Sequence, residues 1–590
     1  MWDDSTPIGP HQAHGRTTGW RRLVLPIGVV VVLAAACSTS SAPSHSTSGA
    51  SSGAGSLITG VEVHPAPHSK HIPIVTIETA HTTAVSVTAT SGGHKVVTPA
   101  STPGKTHEVP ILGLRTNRDY KLSITAESDD GVTKRSVATA HYTTPPLPKG
   151  FPKLKVRTSE TRQVSPGITL VPLISGDSAA LTDPLPGAKK GPRATGRVIG
   201  VDATGEVVWF YESKLPVISV EPTSHGTLLL GIDEGTLLNL DGSVREIDLL
   251  GNTLAEWSSK IARSSGRSLP DKPLGPKPII PVDIDSFHHD IHELPNGNII
   301  ALSTDLIDVD PATARTLCPA NPATHLVADI VVEFERSGAV VGRWPVAPLF
   351  DPVTRPGSDM CPQDPDKRSP EGWMYPQVSG ERDWTHANAV ALDQAHNTLV
   401  VSLREVDAVV GLRYADDKNG PAGERLWELG PEGDLKMQGD GLFQHHQHGI
   451  DLHGKGTLLA FDNGNLRPGT KDAGGTKPNF SRAVIYKIDP AARAVRQVWQ
   501  HRDENPWGGP MYVPFLGDVD PLENGNVLIT YGIFFDPDGR PHARVVEVAP
   551  DIKGGGAGDK VVFDMIIGDP KGAGWVAYHS AKLPSLYPAQ

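Results

Sequence analysis

Val331-Val-Glu-Phe-Glu-Arg-Ser-Gly-Ala-Val-Val-Gly-Arg-Trp344 reads as a strand, a polar turn and a second strand ending on an aromatic residue. Arg336, Ser337 and Gly338 make the turn, and β-branched residues fill both flanks. Similar units end at Trp209, Trp257, Trp427, Trp499 and Phe563. A second signal, a tight turn leading into an apolar strand, occurs at Pro166-Gly-Ile-Thr-Leu170, His225-Gly-Thr-Leu-Leu229 and Asn296-Gly-Asn-Ile-Ile300. It occurs again at His396-Asn-Thr-Leu-Val400, Lys455-Gly-Thr-Leu-Leu459 and Asn524-Gly-Asn-Val-Leu528. The two signals alternate strictly, six of each. One of each makes a four-stranded sheet, so residues 166–590 are expected to form an all-β, six-bladed β-propeller. The final Trp575-Val-Ala-Tyr-His-Ser-Ala-Lys582 follows the sixth aromatic and is expected to return and pair with an early blade, covering an open edge.

In a propeller the strand before each Gly turn lines the central channel. Three of these strands carry histidine: Phe287-His-His-Asp-Ile-His-Glu-Leu294, Trp384-Thr-His-Ala-Asn-Ala-Val-Ala-Leu392 and Phe443-Gln-His-His-Gln-His-Gly-Ile-Asp-Leu452. Aligned on the closing leucines, His288, His386 and His446 fall in register, two residues ahead of Asp290, Asn388 and His448. Residues two apart share a strand face, so these pairs are expected to converge on one channel mouth. His289 points away unless a bulge turns it. Two chemistries fit such a cluster. Neutral imidazoles with a carboxylate bind transition metals, as in a metal-dependent propeller lyase or hydrolase. Imidazole is also a nucleophile and proton shuttle near neutral pH, and Arg404 on the neighbouring strand is a candidate cation for an anionic substrate. A non-catalytic, surface-anchored recognition propeller is the third possibility.

The rest of the chain bounds these readings. Gly 61 and Pro 53 against Met 6 in 590 residues favour many turns and short strands, and no later stretch holds helical apolar spacing. A formal charge of -12 provides no basic surplus for nucleic-acid phosphates. At the N-terminus, Trp20-Arg-Arg22 precedes an apolar run, Leu23 to Ala36, too short for the roughly 20 residues of a spanning helix. Small residues before Cys37 resemble a bacterial lipobox, so residues 1–37 are expected to be a lipoprotein signal with Cys37 lipid-modified. An ordinary secretory signal or an uncleaved anchor is the alternative. The lipid would hold the protein at the outer face of the cell membrane. Residues 38–56 read as a flexible tether. Export places Cys318 and Cys361 in an oxidising compartment, where a disulfide between them is expected. Residues 57–144 contain short alternating segments that suit a small fibronectin-like β-sandwich, with Tyr120 at its corner, and 145–165 read as a linker.

Asp383-Trp-Thr-His386-Ala-Asn388 followed by Ser402-Leu-Arg404 resembles the bacterial arylsulfate sulfotransferase family, as do Gln447-His448, Phe461-Asp-Asn-Gly464, Tyr578 and Pro584-Ser-Leu-Tyr-Pro588. The resemblance implies a six-bladed propeller behind a sandwich. It also implies ping-pong transfer of a sulfuryl group from an aryl sulfate to a phenol, without a nucleotide donor and without a cofactor. On that resemblance His448 is the nucleophile that becomes N-sulfonated, and His386 is the acid and base for the phenols. Arg404 and Asn388 hold sulfuryl oxygens, and a histidine from His288/His289 binds one or shares the proton. The adjacent His445-His446 pair departs from the family pattern and looks more metal-like.

Overall fold

The computed structural model describes residues 56–128, 135–175, 195–233, 242–264, 279–358, 360–361, 375, 378, 380–454, 456–569 and 574–587. Cys37 and the whole of the expected leader lie outside them.

Six strands between Ile58 and Thr143 form one antiparallel system around a 23-residue strand, Ser69–Ser91. Its first half pairs with Ile58–Ala66 and Gly104–Pro110, its second half with His94–Val97 and Asp119–Ser128, which in turn pairs with Arg135–Thr143. The alternating apolar residues close on a core that includes Val75, Ile77, Val85, Val87, Leu122 and Ile124. Tyr120 is buried there, and its hydroxyl accepts a hydrogen bond from the Arg115 backbone at 2.9 Å. That is the corner bond by which such a Tyr pins the chain a few residues upstream.

Six further sheets follow. In five of them four strands follow one another in chain order, as in the third sheet with His288–Glu293, Ile299–Asp308, His325–Phe334 and Val340–Pro345. In the first sheet a C-terminal strand takes the first place before Ile168–Ser175, Thr195–Val201 and Val207–Ser213. The fourth sheet runs Ala387–Asp393 to Arg425–Leu429, the fifth His448–Leu452 to Ala494–His501, and the sixth Asp518–Pro521 to Lys560–Gly568. Trp209, Trp257, Trp344, Trp427, Trp499 and Phe563 all lie on fourth strands and are buried. Four of the indoles also link consecutive or neighbouring sheets. Trp209 Nε1 donates to the Leu249 carbonyl (2.8 Å), Trp257 to Arg336 (3.1 Å), Trp344 to Tyr414 (3.0 Å) and Trp499 to the Asp559 carboxylate (2.9 Å). Each acceptor sits between the third and fourth strands of the next sheet. The aromatic repeat seen in the sequence is therefore a repeated bond between sheets.

The first strands touch in sequence, Val217–Pro222 to His288–Glu293, then Ala387–Asp393, His448–Leu452 and Asp518–Pro521. The first sheet is completed from the C-terminus: Trp575–Ala577 and Ala581–Leu583 both pair antiparallel with Ile168–Ser175. Lys153–Ser159, inside the stretch read as linker, is a strand on the outer edge of the sixth sheet, paired with Lys560–Gly568. It has no buried residue to reveal it in the sequence. Cys318 and Cys361 form the disulfide, with Cα atoms 5.4 Å apart, and join the two long insertions of the third sheet.

Removing residues 574–590 should expose the Ile168–Ser175 edge and the apolar surface under Trp575, Val576, Tyr578 and Leu583. At about 1.5–3 kcal/mol per large buried side chain, the loss is on the order of 10 kcal/mol. The truncated protein is expected to aggregate on size-exclusion chromatography. Elution and melting identical to the parent would show that the closing segment is dispensable.

Candidate active site

The site begins with three kinks in first strands. The ladders slip between His288 and Ile291, between Ala387 and Ala389, and between His448 and Ile450. His289, His386 and His446 all have positive φ, at 53°, 49° and 50°, a region that costs a non-glycine residue about 1–3 kcal/mol and tends to mark functional sites. Gly449 also has positive φ (42°), and a Cβ there would meet Asp518 Oδ1 at 2.5 Å. The chain after His448 therefore requires glycine.

The kinks settle which histidines meet. His289 turns inward: its ring centroid is 5.0 Å from that of His386 and 5.5 Å from that of Tyr578. Tyr578 also packs edge-on against His448, at 5.8 Å. His288 lies behind, with Nδ1 2.9 Å from His289 Nδ1 and Nε2 3.3 Å from Asp329 Oδ1. Burial holds His288 down to about 4 and pushes the Asp329 carboxyl up to about 7, so His288 is neutral near neutral pH. The expected pairing of His288 with Asp290 on one face does not occur. The slip turns Asp290 to the Val390 N–H (2.8 Å) and His292 Nε2 (3.1 Å). His446 is diverted as well, because its positive φ breaks the two-residue alternation with His448. It meets Ser358 Oγ at 2.7 Å and Asp407 Oδ1 at 3.2 Å. Asp407 also takes His445 Nδ1 at 3.0 Å. The His445-His446 pair is thus a brace around one carboxylate.

His448 is 2 % exposed, and its Nδ1 lies 2.8 Å from Asn463 Oδ1. The Asn463 amide is oriented by two further bonds, from Nδ2 to the Val513 and Leu516 carbonyls, both at 2.8 Å. Its oxygen must therefore face the imidazole, Nδ1 must carry the proton, and Nε2 of neutral His448 is left with the lone pair. Burial first, and the nearby Arg404 guanidinium second, hold His448 well below the usual imidazole range. The ring is thereby held in its neutral form. Asn463 directly follows the strand Thr457–Asp462 that pairs with His448 and lies in the Phe461-Asp-Asn-Gly464 stretch that carries the family resemblance, although the sequence did not mark it as the partner of His448.

His386 Nδ1 is hydrogen-bonded to Asp383 Oδ2, which orients the ring. Arg404 follows Thr398–Leu403, and its backbone N–H is bonded to the His386 carbonyl at 3.1 Å. The guanidinium meets Glu405 Oε1 through Nη1 and the Pro514 carbonyl through Nη2 at 3.5 Å. Asn388 is fully buried. Its Nδ2 donates to the Gln447 carbonyl at 2.7 Å, and its own carbonyl accepts from Tyr578 Oη at 2.8 Å. It joins the strands bearing His386 and His448 to the closing segment, a bracing task beyond the ligand-binding one expected of it. Tyr578 is buried, and its hydroxyl is held well above its usual range by burial and by Asp290 and Asp518.

Asp383, His386 and Glu405 present three ligand atoms within 4.8 Å of one another. Both Glu405 oxygens have other partners, Arg404 Nη1 and Ser358 Oγ, and His386 Nδ1 is engaged by Asp383. An arginine on the same carboxylate opposes a cation there, so this donor set suits an anion-binding centre better than a metal centre.

A family model for arylsulfotransferase (ASST) matches residues 178–556. The arylsulfate sulfotransferase AssT of Escherichia coli O6:H1 (strain CFT073) is 26% identical over 281 residues, 42% of this chain and 45% of that one. AssT of Lelliottia amnigena is 24% identical over 276 residues, 39% and 44% of the two chains. The aligned region spans less than half the length of either relative. Among solved structures, the periplasmic gluconolactonase PpgL of Pseudomonas aeruginosa aligns with a TM-score of 0.30 at 12% identity, over 67% of this chain and 82% of that one, a likeness too slight to carry an argument. The family match covers most of the chain and contains His289, His386, Arg404, His448 and Asn463, and on it the chain belongs to the arylsulfotransferase family.

Proposed function

We propose that the protein transfers a sulfuryl group from an aryl sulfate to a phenol by a ping-pong route through a sulfohistidine at His448. The observation that carries this reading is the Asn463 bond to His448 Nδ1, which leaves the Nε2 lone pair of a neutral imidazole beside a guanidinium. In the first half-reaction Nε2 attacks sulfur, the S–O bond to the aryl group breaks, and the electron pair leaves on the phenolate. His386, held by Asp383, gives that phenolate a proton. The N-sulfonated ring keeps its Nδ1 proton on Asn463. In the second half-reaction His386 takes the proton of the incoming phenol, the phenol oxygen attacks sulfur, and the N–S electron pair returns to Nε2. Arg404 supplies positive charge and His289 a ring N–H for the sulfuryl oxygens, while Tyr578, whose hydroxyl proton is on the Asn388 carbonyl, packs between His289 and His448. No nucleotide and no cofactor enters this scheme.

The same reading extends to the architecture. The six sheets are blades of one propeller, closed by the C-terminal segment, and residues 57–144 are a small sandwich beside it. Residues 1–37 are a lipoprotein leader, so that Cys37 anchors the enzyme to the outer face of the cell membrane. The ring of contacts between first strands and the Tyr120 corner support the first two proposals. The sequence around Cys37 supports the third.

Intact-protein mass spectrometry after brief mixing with an aryl sulfate, and no acceptor, tests the central claim. One added sulfuryl group is expected, mapped by fragmentation to His448 and absent from His448→Ala. Labelling that persists in His448→Ala would remove the nucleophile assignment. Asn463→Ala should slow labelling by about 10–100-fold, as loss of a ring-orienting partner does elsewhere, with donor binding little changed. An equal loss of donor affinity would make Asn463 a general packing residue instead. The pH dependence has a definite sign. Protonation removes the Nε2 lone pair, and the lowered folded pKa keeps His448 neutral. With a donor whose phenol leaves easily, the labelling rate should therefore stay flat from mildly alkaline pH down through 6.5. An acid limb centred at the free-imidazole value would contradict it.

A further inference from the structure

A second cavity, with mixed polar and apolar walls, lies farther along the first strands than the histidine cluster, toward Glu293, Leu392, Leu452 and Asp520. It has a volume of about 300 Å³ and is lined by Glu221, Asp290, Glu293, Asp451, Asp518 and Asp520, with His292, His579 and Ser580. Its described lining contains no Lys or Arg. Three of the six acids have cationic partners. His292 lies between Glu221 (3.3 Å) and Asp290 (3.1 Å), and Arg336 meets Glu293 at 2.5 Å. Of the remaining acids, Asp518 Oδ1 lies 3.5 Å from His579 Nδ1, and Asp451 and Asp520 have only the already shared His292 as a nearby cation.

Charge alone would not make this a site, but the polar atoms around it are also unspent. Ser580 is 2 % exposed, and its Oγ is buried with no hydrogen-bond partner. Asp520 Oδ2 and His579 Nε2 are buried in the same state. Buried polar atoms are ordinarily satisfied, and each orphan costs about 1–3 kcal/mol, so a hydroxyl, a carboxylate and an imidazole left open at one cavity point to a missing partner. Among acids with no Lys or Arg in the lining, a positive partner that accepts oxygen ligands meets the open carboxylate and hydroxyl together.

We propose that this cavity binds a hard divalent cation, calcium or magnesium, that joins the fifth and sixth sheets to the closing segment through Asp451, Asp520 and Ser580. Carboxylate and hydroxyl oxygens select such ions over softer metals. The carboxylates do not form a tight shell, since the three-ligand group within 4.8 Å among the described residues is the Asp383, His386 and Glu405 set. The ion therefore keeps part of its water. At roughly 30 Å³ per water the cavity accommodates an ion with several waters. Asp520 and Asp451 come from first strands of adjacent sheets and Ser580 from the segment that completes the first sheet, so the ion acts where the ring of sheets closes.

The test uses the full chain stripped with EDTA and desalted. Calorimetric titration with calcium chloride and with magnesium chloride should show about one ion bound per chain, and the melting temperature should rise on its addition. Asp520→Asn and Asp451→Asn keep shape and remove charge; each should weaken binding by about tenfold or more and cancel the thermal shift. If no ion binds at millimolar concentration the proposal is overturned, and a stabilising Asp520→Asn would then show that the carboxylates share protons. Binding lost in Asp383→Asn but retained in Asp520→Asn would place the ion at the other acidic group and overturn it equally.

Discussion

The antiparallel pairing of Trp575–Ala577 and Ala581–Leu583 with Ile168–Ser175 covers an edge of the first sheet that would otherwise stay open. The rest of the structure depends on that closure. The first strands are brought into contact around a common interior, and the short stretch between the two closing strands is carried there with them. Tyr578, His579 and Ser580 lie in it. Tyr578 then touches His289 and His448 and bonds the Asn388 carbonyl, while His579 and Ser580 face the acidic cavity. One segment therefore completes the first sheet and reaches both polar centres.

The second constraint is the cost of holding imidazoles in kinked backbone inside a buried interior. His289 and His386 sit at positive φ, and His448 precedes a glycine that Asp518 approaches closely. Such conformations persist when surrounding bonds over-determine them. Those bonds are present: Asp383 on His386, Asn463 on His448, Asp290 on the Val390 N–H and Asn388 on the Gln447 carbonyl. Burial, in turn, makes a charged ring costly, so His288, His289 and His448 are held neutral. Neutrality is what a nitrogen nucleophile needs. The strain and the chemistry share a cause, the crowding of three first strands onto one point.

The sequence by itself determined the sheet-forming periodicity, the six aromatic anchors, the return of the C-terminus and the set of residues from which a site could be drawn. These are local patterns: alternation reports a buried strand face, and a Gly turn reports a change of direction. His448, His386 and Arg404 were legible because each sits on, or just beyond, a strand of that repeat. Only the tertiary structure decided the rest. His289 faces the cluster instead of His288, and Asp290 and His446 leave it, because a slip in the ladder reverses the side chains that simple alternation assigns. Asn463 became the partner of His448 through two carbonyls that lie about fifty residues away in sequence. Lys153–Ser159 became a strand because an edge of the sixth sheet was available, not because it has an apolar face. The proton on Nδ1 and the open nitrogen of His448 belong to no local pattern, since they follow from which amide the folded chain places beside the ring.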